Sequence, residues 1–125
     1  MFRFALDPVL NKHRLVEEQI QKDLAAAARK LREERFKLCA FENEQSRCIE
    51  ELERRKAAGL SVSELTVFVS FIGNLEVKIS AQQKEVDRAE AVFDDRRSEL
   101  LEIFKRRRLL EKLREKGLGE YIRVK

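Results

Sequence analysis

Along most of the chain the apolar residues return every seven positions, with a companion set three residues further on. Leu10, Leu24, Leu31, Leu38 and Leu52 form one series, and Ile20, Ala27, Phe41 and Cys48 form the other. His13, Glu17, Glu34 and Gln45 interrupt them, so 9 of 13 positions on this seam are apolar. The rhythm resumes further on with Leu65, Ile72, Ile79, Val86, Phe93 and Leu100, accompanied by Phe68, Leu75, Ala89 and Ile103. Only Gln82 and Arg96 break this second stretch, leaving 10 of 12 positions apolar. A two-in-seven apolar stripe is narrower than the face of a globular helix and matches the seam of a coiled coil.

Punctuation divides the pattern into two helices. Asp7-Pro8 reads as a helix start: Asp7 caps the free N–H groups, and Pro8 at the first helical position wastes no donor. Gly59 suits the left-handed residue that ends a helix. Ser61 followed by Glu64 matches a capping box that opens the next. The expected fold is therefore all-α, two long helices forming an antiparallel coiled-coil hairpin as one domain over residues 1–125. Helix 1 is expected at about 8–57, the turn at 58–61, helix 2 at 62–116, and a frayed tail at 117–125 where Gly117 and Gly119 fall. Helices of that length make rods of roughly 70–80 Å.

Composition agrees with this reading and narrows it. Charged residues make up 40% of the 125, and there are 4 Gly, 1 Pro and no Trp. Such a chain makes long helices and has little from which to build an enclosed pocket. The net charge of +4 is unevenly placed. Residues 105–125 hold nine Lys/Arg against three Glu, a net of +6, so the remainder is slightly acidic at −2. A segregated basic end steers toward acidic partners, whether protein, nucleic acid or lipid.

Catalytic chemistry is not apparent. His13 is the one histidine and has no catalytic companions in the sequence. Glu50, Glu51 and Glu53, and the pair Asp94-Asp95, read as solvated helix faces rather than metal ligands. Cys39 and Cys48 stand roughly 13 Å apart on a helix, too far to bridge each other. There is no phosphate-cradling glycine loop, no signal-peptide core and no apolar run long enough to span a membrane. We expect a non-enzymatic, reduced, cytosolic protein without cofactor or metal.

Two surfaces remain. After the turn the chain carries more apolar residues than the seam uses: Val67, Val69, Phe71 and Val77 lie outside it. They either pack under the turn or form an exposed patch for a partner, and in antiparallel register Leu38 and Phe41 approach the same surface. The second is the basic run Lys105-Arg106-Arg107-Arg108 with Lys112, Arg114 and Lys116. Clustered arginines neutralise phosphates, but stacking aromatics are sparse in this stretch, and an acidic protein surface fits equally well.

Three segments carry a family resemblance: Phe2-Arg3-Phe4-Ala5-Leu6-Asp7-Pro8-Val9-Leu10, Ala58-Gly59-Leu60-Ser61-Val62-Ser63-Glu64-Leu65, and Arg108-Leu109-Leu110-Glu111-Lys112-Leu113. In order, they resemble the FliJ family, stalk proteins of the flagellar type III export apparatus, similar to the coiled coil of the F-type ATPase gamma subunit. Injectisome stalk proteins share this architecture, and the Phe2-Arg3-Phe4 start favours the flagellar branch. The resemblance implies that the end bearing both termini inserts into the hexameric export ATPase and promotes its assembly and activity. On this chain that pole would comprise Arg106, Arg107, Arg108, Lys112 and Arg114. It also implies mid-rod docking on the cytoplasmic domain of the export gate, through Leu38, Phe41 and Gln45 of helix 1, beside Glu34. Phe71, Leu75, Lys78 and Gln82 of helix 2 would complete that surface. Export chaperones would be further partners, with no nucleic acid, no direct membrane insertion, and a cytoplasmic location held at the inner membrane through the apparatus. FliJ-like chains usually continue in a longer charged helix, whereas this sequence stops at Lys125. The alternatives from the residues alone are a nucleic-acid-associated basic hairpin and a structural homo-oligomeric coiled coil.

Overall fold

Leu6, rather than Asp7, occupies the cap of the first helix: its carbonyl accepts the Leu10 N–H at 2.8 Å, the first intrahelical bond. Asp7 is thus the first helical residue, where its carboxylate faces the positive end of the helix dipole. Helix α1 runs Asp7–Ala58 and helix α2 Val62–Val124 in a computed structural model that describes residues 5–124. Phe2, Arg3 and Phe4, the start of the N-terminal resemblance, lie outside the described residues, as does Lys125. No strand occurs among the described residues.

The connection is built as its sequence requires. Gly59 has φ of 101°, a conformation that strains any residue with a Cβ, and its N–H reaches the Lys56 carbonyl at 3.4 Å. Two residues later the Ser61 hydroxyl accepts the Glu64 N–H at 3.1 Å and the Ser61 carbonyl accepts Leu65 N–H at 3.0 Å. Ser61 is therefore the cap of α2, and only three residues separate the two helices.

The chain packs as two compact units: one takes α1 up to Ala28 and α2 from Val92, the other is Arg29–Ala91. We call these the terminal unit and the turn unit. In the terminal unit Arg114 pairs with Asp7 and Arg107 with Glu17, so the helices run antiparallel. In the turn unit Gln82 bonds to Glu34, Gln45 to Ile72, and Arg55 stacks over Phe68, again antiparallel. The fold is all-α, an antiparallel coiled-coil hairpin.

Burial follows the heptads closely. Leu10, Ala27 and Ile103 are buried in the terminal unit, and Leu31, Glu34, Leu52, Leu75, Val86 and Ala89 in the turn unit. Every one of these is a seam position, and the remaining seam positions are half-buried. The expected end of helix 2 at residue 116 is corrected: α2 continues through Gly117 and Gly119 to Val124. The reason is that the seam itself continues. Arg107, Leu110, Arg114, Gly117 and Tyr121 keep the same spacing beyond Ile103 and are half-buried. Packing on that side outweighs the roughly 1 kcal/mol that each glycine costs a helix.

Leu75 is 2% exposed in the centre of the turn unit. Leu75→Ala is expected to lower unfolding free energy by about 2–5 kcal/mol in urea titration. Val69→Ala, at a position 57% exposed, is expected to change it by less than about 0.5 kcal/mol.

Candidate interaction surfaces

The residues assigned by resemblance to gate docking divide into two groups. Leu75 is sealed in the seam, and Leu38, Phe41, Gln45 and Gln82 are half-buried there. The two glutamines have structural duties. Gln45 Nε2 donates to the Ile72 carbonyl at 3.5 Å, and Gln82 Nε2 donates to the Glu34 carbonyl at 3.0 Å and to the Glu34 carboxylate. What remains on the surface is Phe71, 46% exposed, with Lys78, whose ammonium lies 6.0 Å from the centre of the Phe41 ring. Phe71 and Lys78 are seven residues apart and so share one flank of α2, next to the seam. Val67 shares that flank at 69% exposed, Val62 and Val69 are exposed on the flank at the other edge of the seam, and Val77 is exposed on the side away from it. None of the off-seam valines packs under the turn.

Glu34 is the one buried charged residue among those described, at 4% exposed. A carboxylate in an apolar seam is tolerated only if it is paired and hydrogen-bonded. Lys30 reaches it at 2.9 Å from one turn earlier and Lys37 at 3.6 Å from three residues later, while Gln82 crosses from α2. These partners, Lys30 first and Gln82 second, hold the Glu34 carboxyl well below the usual range, at about 2. No buried side-chain nitrogen or oxygen among the described residues lacks a partner.

The basic pole divides in a similar way. Arg107 points into the seam, pairing with Glu17 and, at 2.6 Å, with Glu111, while its guanidinium stacks 5.1 Å from the Phe104 ring centre. These two carboxylates, Glu17 first, raise the Arg107 pKa, and Arg107 in turn lowers that of Glu111. Arg114 Nε reaches Asp7 at 3.1 Å, and Arg14 lies 3.7 Å from Glu111. Arg106, Arg108 and Lys112 are exposed. Arg106 has Glu102 at 3.7 Å on its own helix, and Arg108 has Glu111 at 3.1 Å. Of the five cations assigned to the pole, three therefore face outward and two help to close the hairpin.

Sequence reasoning puts Glu34 and Gln82 on one docking surface by resemblance but does not pair them with each other. Placing them opposite each other in antiparallel register is the signal that pairs them. Continuing the heptad from Leu100 and Ile103 by seven would likewise have placed Arg107 and Arg114 in the seam.

Among the described residues no group of His, Cys, Asp and Glu side chains is placed to hold a metal. His13 Nδ1 is 2.9 Å from the carbonyl of Val9, one turn back on its own helix. Cys39 is exposed and Cys48 half-buried, both as free thiols. The described residues define a helical hairpin. The chain matches the flagellar FliJ protein family over residues 2–124, essentially its whole length, and belongs to that family. The family is a component of the flagellar protein export apparatus and is itself non-catalytic. No curated protein and no solved structure matches the chain.

The carboxyl of Glu34 is depressed in the folded state, so it stabilises the fold fully above its unfolded value near 4.5. That stabilisation drains as pH falls from about 4.5 toward about 2. Glu34→Gln is expected to be less stable than the parent at pH 7. The difference between them, from urea unfolding followed by circular dichroism, should stay level above pH 4.5 and shrink steadily below it. A difference independent of pH would show that Glu34 is not held in this way.

Proposed function

We propose that the protein is the stalk of a flagellar type III export apparatus. The terminal unit engages the hexameric export ATPase and raises its activity. The flank around Phe71 docks on the cytoplasmic domain of the export gate, and export chaperones are escorted by the same protein. It would act in the cytoplasm, held at the inner membrane through the apparatus. The observation that carries the reading is the split among the pole's arginines. Arg107 and Arg114 close the hairpin, while Arg106, Arg108 and Lys112 stand in solvent, where acidic surfaces inside a ring would attract them. Phe71 supports the second half of the reading, as an exposed aromatic on the same flank of α2 as Lys78.

The test is steady-state turnover of the cognate export ATPase with and without the purified chain. The chain is expected to raise turnover, and Arg106→Glu with Arg108→Glu should return it to the basal rate with helicity unchanged. Arg107 is left intact because reversing it would set three carboxylates against one another in the seam. Phe71→Ala should leave stimulation intact and weaken binding to the gate domain by about tenfold, the effect of truncating an aromatic anchor. Absence of both stimulation and ring binding with the parent chain would refute the reading.

Val62 and Val69, seven residues apart on one flank of α2 and 82% and 57% exposed, favour a second reading, in which copies of the chain associate through that flank. Light scattering across a concentration series is expected to show mass rising with concentration if they do. A constant monomer mass would remove that reading.

A further inference from the structure

The side of α2 opposite the seam in the terminal unit is neither a purely solvated face nor a plain apolar one. Leu101, Lys105, Arg108, Lys112 and Lys116 recur at spacings of four, three, four and four, which stacks them into one stripe along the helix. Leu109 and Leu113 run beside that stripe. All of these residues are exposed. The leucines are conspicuous: Leu101 is 54% exposed, Leu109 60% and Leu113 43%. Phe104, on the flank, is 42% exposed.

The charge on this face is predominantly positive. Between Leu101 and Lys116 the acidic residues are Glu102, Glu111 and Glu115. Glu111 is drawn toward the seam by Arg107 and is half-buried, so Glu102, 3.7 Å from Arg106, and Glu115 are the exposed carboxylates. Lys105, Arg106, Arg108, Lys112 and Lys116 are all exposed. Five outward cations against two outward carboxylates leave a net positive charge on this side, while Arg107 and Arg114 are held by Asp7, Glu17 and Glu111 at the seam.

We propose that the outward face of α2 from Leu101 to Lys116 binds the surface of an anionic lipid bilayer, lying on it rather than crossing it. Lysines and arginines beside exposed leucines on one helix face are what an interfacial helix needs. The cations approach the anionic headgroups, and the leucines enter the boundary between headgroups and acyl chains. Nucleic acid would satisfy the cations but would leave the leucines against phosphate and water, and stacking aromatics are missing from the stripe. No helix among the described residues is long and apolar enough to cross a membrane, which agrees with surface binding. The proposal does not rest on ring binding, and its assay contains no ATPase.

The test is co-sedimentation of the full chain with two kinds of vesicle, pure phosphatidylcholine and phosphatidylcholine with about 25% phosphatidylglycerol. Binding is expected to the anionic vesicles only, and to weaken steeply as NaCl rises from about 0.1 M to about 0.5 M. Lys105→Glu with Lys112→Glu should reduce it by about tenfold or more, since each basic residue near the surface contributes separately. Leu109→Asn with Leu113→Asn leaves the charge unchanged and should also reduce it by about tenfold, a loss that bulk attraction alone does not produce. Both pairs are at exposed positions, and thermal melts of both are expected to match the parent. Absence of binding to anionic vesicles, or equal binding to both kinds, overturns the proposal. So does full retention of vesicle binding by the leucine variant. Tighter binding to duplex DNA than to vesicles, retained by the leucine variant, overturns it in favour of a nucleic-acid surface.

Discussion

A buried carboxylate sets the terms on which the turn unit packs. Glu34 sits in the seam where an apolar residue would give more stability, and it is acceptable there only because Lys30, Lys37 and Gln82 meet it. Leucine seams alone are permissive about register, because sliding one helix by a heptad brings leucine against leucine again. A polar layer removes that freedom. A slip of seven residues would take Gln82 away from Glu34 and set either Leu75 or Ala89 opposite the carboxylate. Gln45, bonded to the Ile72 carbonyl, adds a second polar position along the same unit. The turn's own geometry then fixes which register is adopted: Gly59 ends one helix and Ser61 caps the next within three residues.

Much of this was legible beforehand, and the reasons are physical. The heptads named the seam because a narrow stripe is the only way two helices can bury apolar area, and every buried residue falls on it. The turn was legible because Gly59 and Ser61-Glu64 each leave a local chemical mark. Helix ends without such a mark were placed less well. Asp7 looks like a cap, yet the cap position falls to Leu6 and the Asp7 carboxylate meets Arg114 across the seam. Gly117 and Gly119 look like an ending, yet α2 runs past them, with Arg114, Gly117 and Tyr121 half-buried at the seam spacing.

The candidate surfaces were legible as stretches of sequence but not as faces. Residues four or seven apart along one helix share a side, so a list drawn from both helices near one height mixes the seam with the exterior. That is why Leu75 and Gln82 stand beside Phe71 in the sequence reading and apart from it in the fold. Long basic side chains compound the difficulty. An arginine on a seam position can turn inward and pair, as Arg107 does, while its neighbours Arg106 and Arg108 remain in water. Net charge along the chain therefore overstates what a partner meets, and the outward cations describe it better.

The ion pair between Asp7 and Arg114 has a mechanical consequence. It joins the N-terminal end of α1 to the C-terminal part of α2, holding the two side by side within the terminal unit. A load that pulls those ends apart acts across the seam rather than along it. It is borne by one pair of residues at a time, beginning with a half-exposed ion pair that contributes little on its own. Tension between the ends thus peels the hairpin open. A twist or push applied to both helices of the terminal unit together meets its interlocked seam at once.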